Sequence, residues 1–269
     1  MEHRPHHGPA AALSSEHLAE LRRAKHLLEH PGYVAKVSNM IGMPLDKAVH
    51  ALPAAWNKRI ARAGTASLNK CLQLANASLR GGARPPLPKM HSLAVALTGA
   101  AGGAFGIAGL ALELPVSTVV MLRSIADIGR AEGENLASNE AQLACLMVFS
   151  LGGETAADDA AESAYYAARM ALAKAMSEAA AHLAQQGVAR EGAPALVRLI
   201  AQIAVKFNVQ VSQKAAAMMV PIIGAAGGAL LNTLFIHHFQ DMARGHFTVR
   251  RLERVYGADA VGAAYRALD

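Results

Sequence analysis

The chain is poor in cysteine, in aromatics and in anything patterned like a β-strand. Cys71 and Cys145 are its only cysteines, far apart and without metal-ligand spacing. That excludes a disulfide framework and suits a reducing compartment. Aromatics are 4% of the 269 residues and are not interleaved with the basic groups, so no nucleic-acid partner is expected. No run alternates apolar and polar residues as a half-buried strand does. There is no Gly-x-Ser-x-Gly elbow and no Gly-Lys-Ser/Thr phosphate loop, which argues against a serine hydrolase and a P-loop enzyme. The first twelve residues lack an apolar core for secretion and carry His3, His6 and His7 among Pro and Gly. The expectation is a disordered tail over 1–12 and one helical domain over 13–269, in a cytoplasmic, non-secreted protein.

What is present favours helix. Apolar residues make up 53%, many of them alanine, the best helix former and a poor strand former. Ser14 or Ser15 starts a helix that runs to about His30, where Pro31-Gly32 breaks it. Short helices are predicted over 33–43 and 44–52. Pro53 opens a long amphipathic helix in which Trp56, Ile60, Ala63, Leu68 and Leu72 recur at helical spacing. Pro115 predicts two helices within 90–133, joined near Glu113-Leu114. Further helices are predicted over 137–151, 154–186 and 194–219. Pro221 then opens a glycine-rich segment, with a helix junction at His237-His238-Phe239, a helix over 247–256 and a short one after Gly257. The fold class is all-α, a compact multi-helix bundle.

Within it, the stretch Gly99 to Ala104 recurs letter for letter as Gly224 to Ala229. Gly99, Gly103 and Gly106 share one helix face, as do Gly224 and Gly228. Each glycine costs about 1 kcal/mol of helix propensity against alanine, and close helix–helix approach is the gain that offsets it. The duplication suggests an internal pseudo-twofold arrangement. Leu93 to Leu112 is uncharged and, at about 30 Å as helix, long enough to span a bilayer. Its few Leu, Ile, Val and Phe supply only roughly −2 to −4 kcal/mol of insertion free energy, so a buried core helix fits as well as a span.

Several ordered motifs accompany these segments. Residues 99–115 are followed by Met121-Leu122-Arg123-Ser124-Ile125-Ala126 and Glu132-Gly133-Glu134. Val220 to Ala229 is followed by Asn232, Phe235, the pairs His238-Phe239 and His246-Phe247, and Arg250-Arg251-Leu252-Glu253-Arg254-x-Tyr256-Gly257. Together, over roughly residues 45–267, they resemble the EcsC family. That family takes its name from a gene beside an ABC-transporter pair, so the resemblance implies a link to membrane transport or secretion. It carries over no catalytic residues.

The formal charge is +6, with basic groups at Arg22-Arg23-Lys25, Lys58-Arg59-Arg62, Arg80-Arg84-Lys89 and Arg250-Arg251-Arg254. Such groups suit anionic lipid headgroups or plain solvated helix faces. The expectation is a non-enzymatic, membrane-associated interaction protein at the inner face of the cell membrane. Its partner would be anionic lipid or a transporter subunit, and no cofactor is expected. One rival is a metal-binding or hydrolytic enzyme with its site between the two glycine segments. Another is a glycine-zipper protein that inserts into membranes or forms pores.

Glu113 is the only charge between Lys89 and Arg123. It either caps the following helix through the dipole or lies buried as an acid between helices. The candidate polar cluster is Glu113, Arg123, Asn232, His238, His246 and Arg250. A metal set would draw on Asp127, Glu134, His238, Asp241 and His246, although no Glu-x-x-His or His-x-x-x-His pair occurs there. Lys206 and Lys214, at the margin of the second uncharged block, are expected to snorkel.

Overall fold

The computed structural model describes residues 13–78, 107–152, 163–186, 193–220 and 224–268. Among them are ten α-helices and no strand, as the composition predicts. In chain order these are α1 (Ser15–Glu29), α2 (Tyr33–Ile41), α3 (Leu45–His50), α4 (Ala54–Ser78) and α5 (Ile107–Ala131). Then follow α6 (Asn139–Met147), extended by a 3-10 turn over Val148–Ser150, α7 (Ala164–Gln186), α8 (Pro194–Met218), α9 (Gly224–Tyr256) and α10 (Ala258–Ala267).

Local chemistry accounts for most boundaries. Ser14 Oγ accepts from the His17 N–H, and Ser138 Oγ accepts from Ala141, each satisfying a free first-turn donor. Gly42 closes α2 in the left-handed conformation at φ 72°. Pro194 opens α8 at a first-turn position, where no N–H is needed.

Two boundaries differ from the sequence reading. The predicted join near Glu113-Leu114 is absent, and α5 runs straight through Pro115. The proline removes one N–H, but the helix is held on both sides by packing against α4 and α9. The predicted junction at His237-His238-Phe239 is absent as well. α9 is a continuous helix of 33 residues, about 50 Å long, because nothing in that stretch lacks an N–H and its apolar face stays buried throughout.

α9 is the axis of the bundle. It packs against α1, α5, α2 and α10, while α8 packs against α4, α7 and α3. Phe149, Phe207, Phe235 and Phe239 form a ring cluster between them, with centroid separations of 5.1–6.5 Å. Among the described residues, α8 is the one helix long and apolar enough to cross a membrane by length and composition. Such a helix can equally be the core of a soluble bundle.

The first glycine segment, with Gly99, Gly103 and Gly106, lies outside the described residues, as does the tail 1–12. In the second copy Gly224 begins α9 and Gly228 is buried. A close helix approach occurs further along α9, at Gly245. A Cβ there would lie 2.6 Å from Leu28 Cγ and 3.0 Å from the Ala24 carbonyl oxygen of α1.

Candidate functional site

α8 carries Phe207, Gln210, Val211 and Lys214 at spacings of three and four, so all four point into the core. That places a lysine at the bundle centre with a side chain only 1% exposed. Its ammonium donates to Glu113 Oε1 of α5 at 2.8 Å and to Asn232 Oδ1 of α9. It also sits 5.1 Å above the centroid of the Phe235 ring, a cation–π contact. Burial pushes the Lys214 amine below its ordinary range, and the Glu113 carboxylate pulls it partly back. Glu113 Oε2 is buried without a hydrogen-bond partner. Three helices are thereby tied at one point by a desolvated ion pair and an amide.

The expectation of a snorkelling Lys214 is therefore overturned. Snorkelling needs a route to water, and at Lys214 the helix face turns inward. The helix-cap reading of Glu113 falls with it: the residue lies inside α5 and its charge is met by Lys214.

The EcsC protein family matches residues 15–252. The chain belongs to the EcsC family. The match begins earlier than the resemblance over 45–267 suggested, taking in α1 and α2. No curated protein and no solved structure matches the chain.

The remaining candidate residues of this EcsC protein do not join Glu113 and Asn232. Arg123 is exposed on α5. His246 lies fourteen residues beyond Asn232 on α9, about 21 Å along the axis. There its Nδ1 hydrogen-bonds the Tyr165 hydroxyl at 2.9 Å. Burial, reinforced by Arg250 and Arg169, holds it neutral. Arg250 belongs to an ion-pair network instead: Nε donates to Glu134 at 2.8 Å and Nη2 to Glu140 at 3.3 Å. Arg254 also binds Glu134, and Arg251 binds Glu132 and Glu20. So the basic group Arg250-Arg251-Arg254 is paired with carboxylates of the same chain.

His238 is buried on the side of α9 facing α2, its ring 5.2 Å from that of Tyr33. The metal set does not assemble either. Asp127 pairs with Arg130, Asp241 with Arg244 and Glu134 with the arginines. Among the described residues no three His, Cys, Asp or Glu side chains converge as ligands.

The residues that sequence reasoning missed are Lys214 and Tyr33. For Lys214 the signal was present, in its helical register with Phe207 and Val211. For Tyr33 none was: only the fold sets α2 against the histidines of α9.

Proposed function

We propose that this EcsC protein is a non-enzymatic interaction protein that docks on anionic membrane surfaces through α2, α3 and α4. The observation that carries the reading is the charge of residues 31–78. They hold Lys36, Lys47, Lys58, Arg59, Arg62 and Lys70 against the single acid Asp46, a net +5 of the chain's +6. All seven side chains are exposed. Among the described residues none of the six cations is in a salt bridge, whereas Arg169, Arg250, Arg251 and Arg254 are all paired internally. Trp56 lies half-buried beneath Arg59, 5.0 Å from its guanidinium, an aromatic of the kind that settles at a headgroup interface.

Each basic side chain near an anionic surface contributes about 1 kcal/mol, screened beyond a Debye length. Several acting together give reversible, salt-sensitive attachment. The test is co-sedimentation of the full chain with phosphatidylcholine vesicles, with and without phosphatidylglycerol. The expected result is binding to the anionic vesicles only, lost at high salt and in the Lys58→Glu/Arg59→Glu/Arg62→Glu variant. Recovery of the protein in the supernatant at low salt with anionic vesicles overturns the reading.

A further inference from the structure

A cleft of about 210 Å³ lies between the last turn of α1, the first turn of α2 and the middle of α9. We infer that it binds a small phosphate-bearing ligand, either free or as a lipid headgroup.

Four features of its lining point to an anion. The first is the start of α2. Its N-cap is Gly32, which offers no side chain to the free first-turn N–H groups, and such a helix end carries partial positive charge. The second is Lys36. It folds back over that helix end, so that a Cβ on Gly32 would sit 3.8 Å from its ammonium nitrogen. A cation placed on a positive helix end is unfavourable unless an anion joins them. The third is the rim, where His26 and His30 stack at 5.4 Å and His237 faces them from α9. The one carboxylate of the lining, Asp241, is already engaged by Arg244 at 2.7 Å.

The fourth is independent of charge. Tyr33 and His238 both line the cleft and are 4% and 5% exposed. The Tyr33 hydroxyl and His238 Nε2 are buried without a hydrogen-bond partner. A native fold seldom leaves such groups unmet, because each costs about 1–3 kcal/mol. A phosphate oxygen entering the cleft would give the Tyr33 hydroxyl the acceptor it lacks, whereas His238 Nε2 is turned toward Gly152, 3.0 Å from where a Cβ there would lie. The volume lies below the roughly 300–1,000 Å³ of sites for drug-sized ligands, so the ligand is a phosphate group with a short substituent. The inference stands apart from the membrane-surface reading, since its residues, Lys36 excepted, are not part of that basic surface.

The experiment titrates the full chain, by calorimetry, with inorganic phosphate and with glycerol phosphate. Vesicles of phosphatidylcholine with phosphatidic acid form a separate arm. Saturable binding of a soluble phosphate assigns a free ligand. Binding confined to phosphatidic acid vesicles, and dependent on Lys36, assigns a headgroup. Either result supports the site. Lys36→Met should weaken binding about tenfold or more. Tyr33→Phe should weaken it several-fold while leaving the urea midpoint unchanged or raised, because it deletes an unmet hydroxyl. Lys58→Met should leave soluble phosphate binding intact. No saturable binding to any of the three probes overturns the inference. So does equal weakening by Lys36→Met and Lys58→Met, which would mean general charge attraction. The loss of anionic-vesicle binding in the triple glutamate variant, with phosphate affinity unchanged, would separate the two surfaces.

Discussion

The Lys214 ammonium lies 2.8 Å from Glu113 Oε1, with both side chains all but closed to solvent. Attraction between such charges is strong, but so is the cost of removing them from water, so the pair as a whole adds little to stability against an apolar replacement. Losing one partner is different, because it strands the other charge. Lys214→Met and Glu113→Leu are each expected to destabilise by about 3–5 kcal/mol. The double variant should cost less than either alone. Urea denaturation of the four proteins measures the coupling. Additive effects, or single losses below about 1 kcal/mol, would show that the charges do not meet.

Burial alone pushes His238 down to about 4 from its ordinary 6.5. A depressed folded-state value means that the unfolded chain takes up the proton first on acidification. The contribution is fully present above pH 6.5 and is lost as pH falls toward 4. Near pH 4.5 it amounts to about 2.5 kcal/mol relative to neutral pH. His246 acts with the same sign. Urea midpoints measured at about pH 7 and about pH 4.5 should converge in His238→Gln relative to the parent. An unchanged pH slope in the variant would mean that His238 protonates freely in the fold.

Gly245 sets how closely α1 and α9 approach. Alanine there gains up to about 1 kcal/mol of helix propensity. Its methyl would meet Leu28 Cγ at 2.6 Å and the backbone oxygen of Ala24 at 3.0 Å, and backbone cannot swing aside as a side-chain tip can. Overpacking of this kind costs about 1–3 kcal/mol, so Gly245→Ala is expected to lower Tm by about 2–4 °C per kcal/mol of net loss. A raised Tm would place the two helices further apart than described.

Helix content was legible because alanine-rich runs and capping serines act locally. Ser14 caps α1 where the sequence places it, and Ser138 caps α6 one residue inside the expected 137–151. Pro115 misled, because a proline's local cost was weighed without the packing that holds α5 on both sides. The six candidate polar residues stand out in the sequence as unusual side chains in apolar surroundings. That criterion finds buried groups but not their partners. Glu113 and Asn232 meet only because Lys214 on a third helix links them, and His238 and His246 are held apart by the unbroken length of α9.

The network at the end of α9 separates buried from exposed ion pairs on one arginine. Arg250 binds Glu134, whose side chain is 5% exposed, and Glu140, which is 73% exposed. Burial raises the Glu134 carboxyl, but hydrogen bonds and charge from Arg250 and Arg254 outweigh it and hold it below 4.5. Its stabilising contribution is therefore present above that value and lost as pH falls through the lowered one. Glu134→Gln removes a charge that two arginines share and is expected to cost about 2–3 kcal/mol near neutral pH. Glu140→Gln removes a solvent-screened contact and is expected to cost less than about 1 kcal/mol. Thermal unfolding of both variants at low and moderate salt measures the contrast, and comparable losses would mean that solvent reaches Glu134 as readily as Glu140.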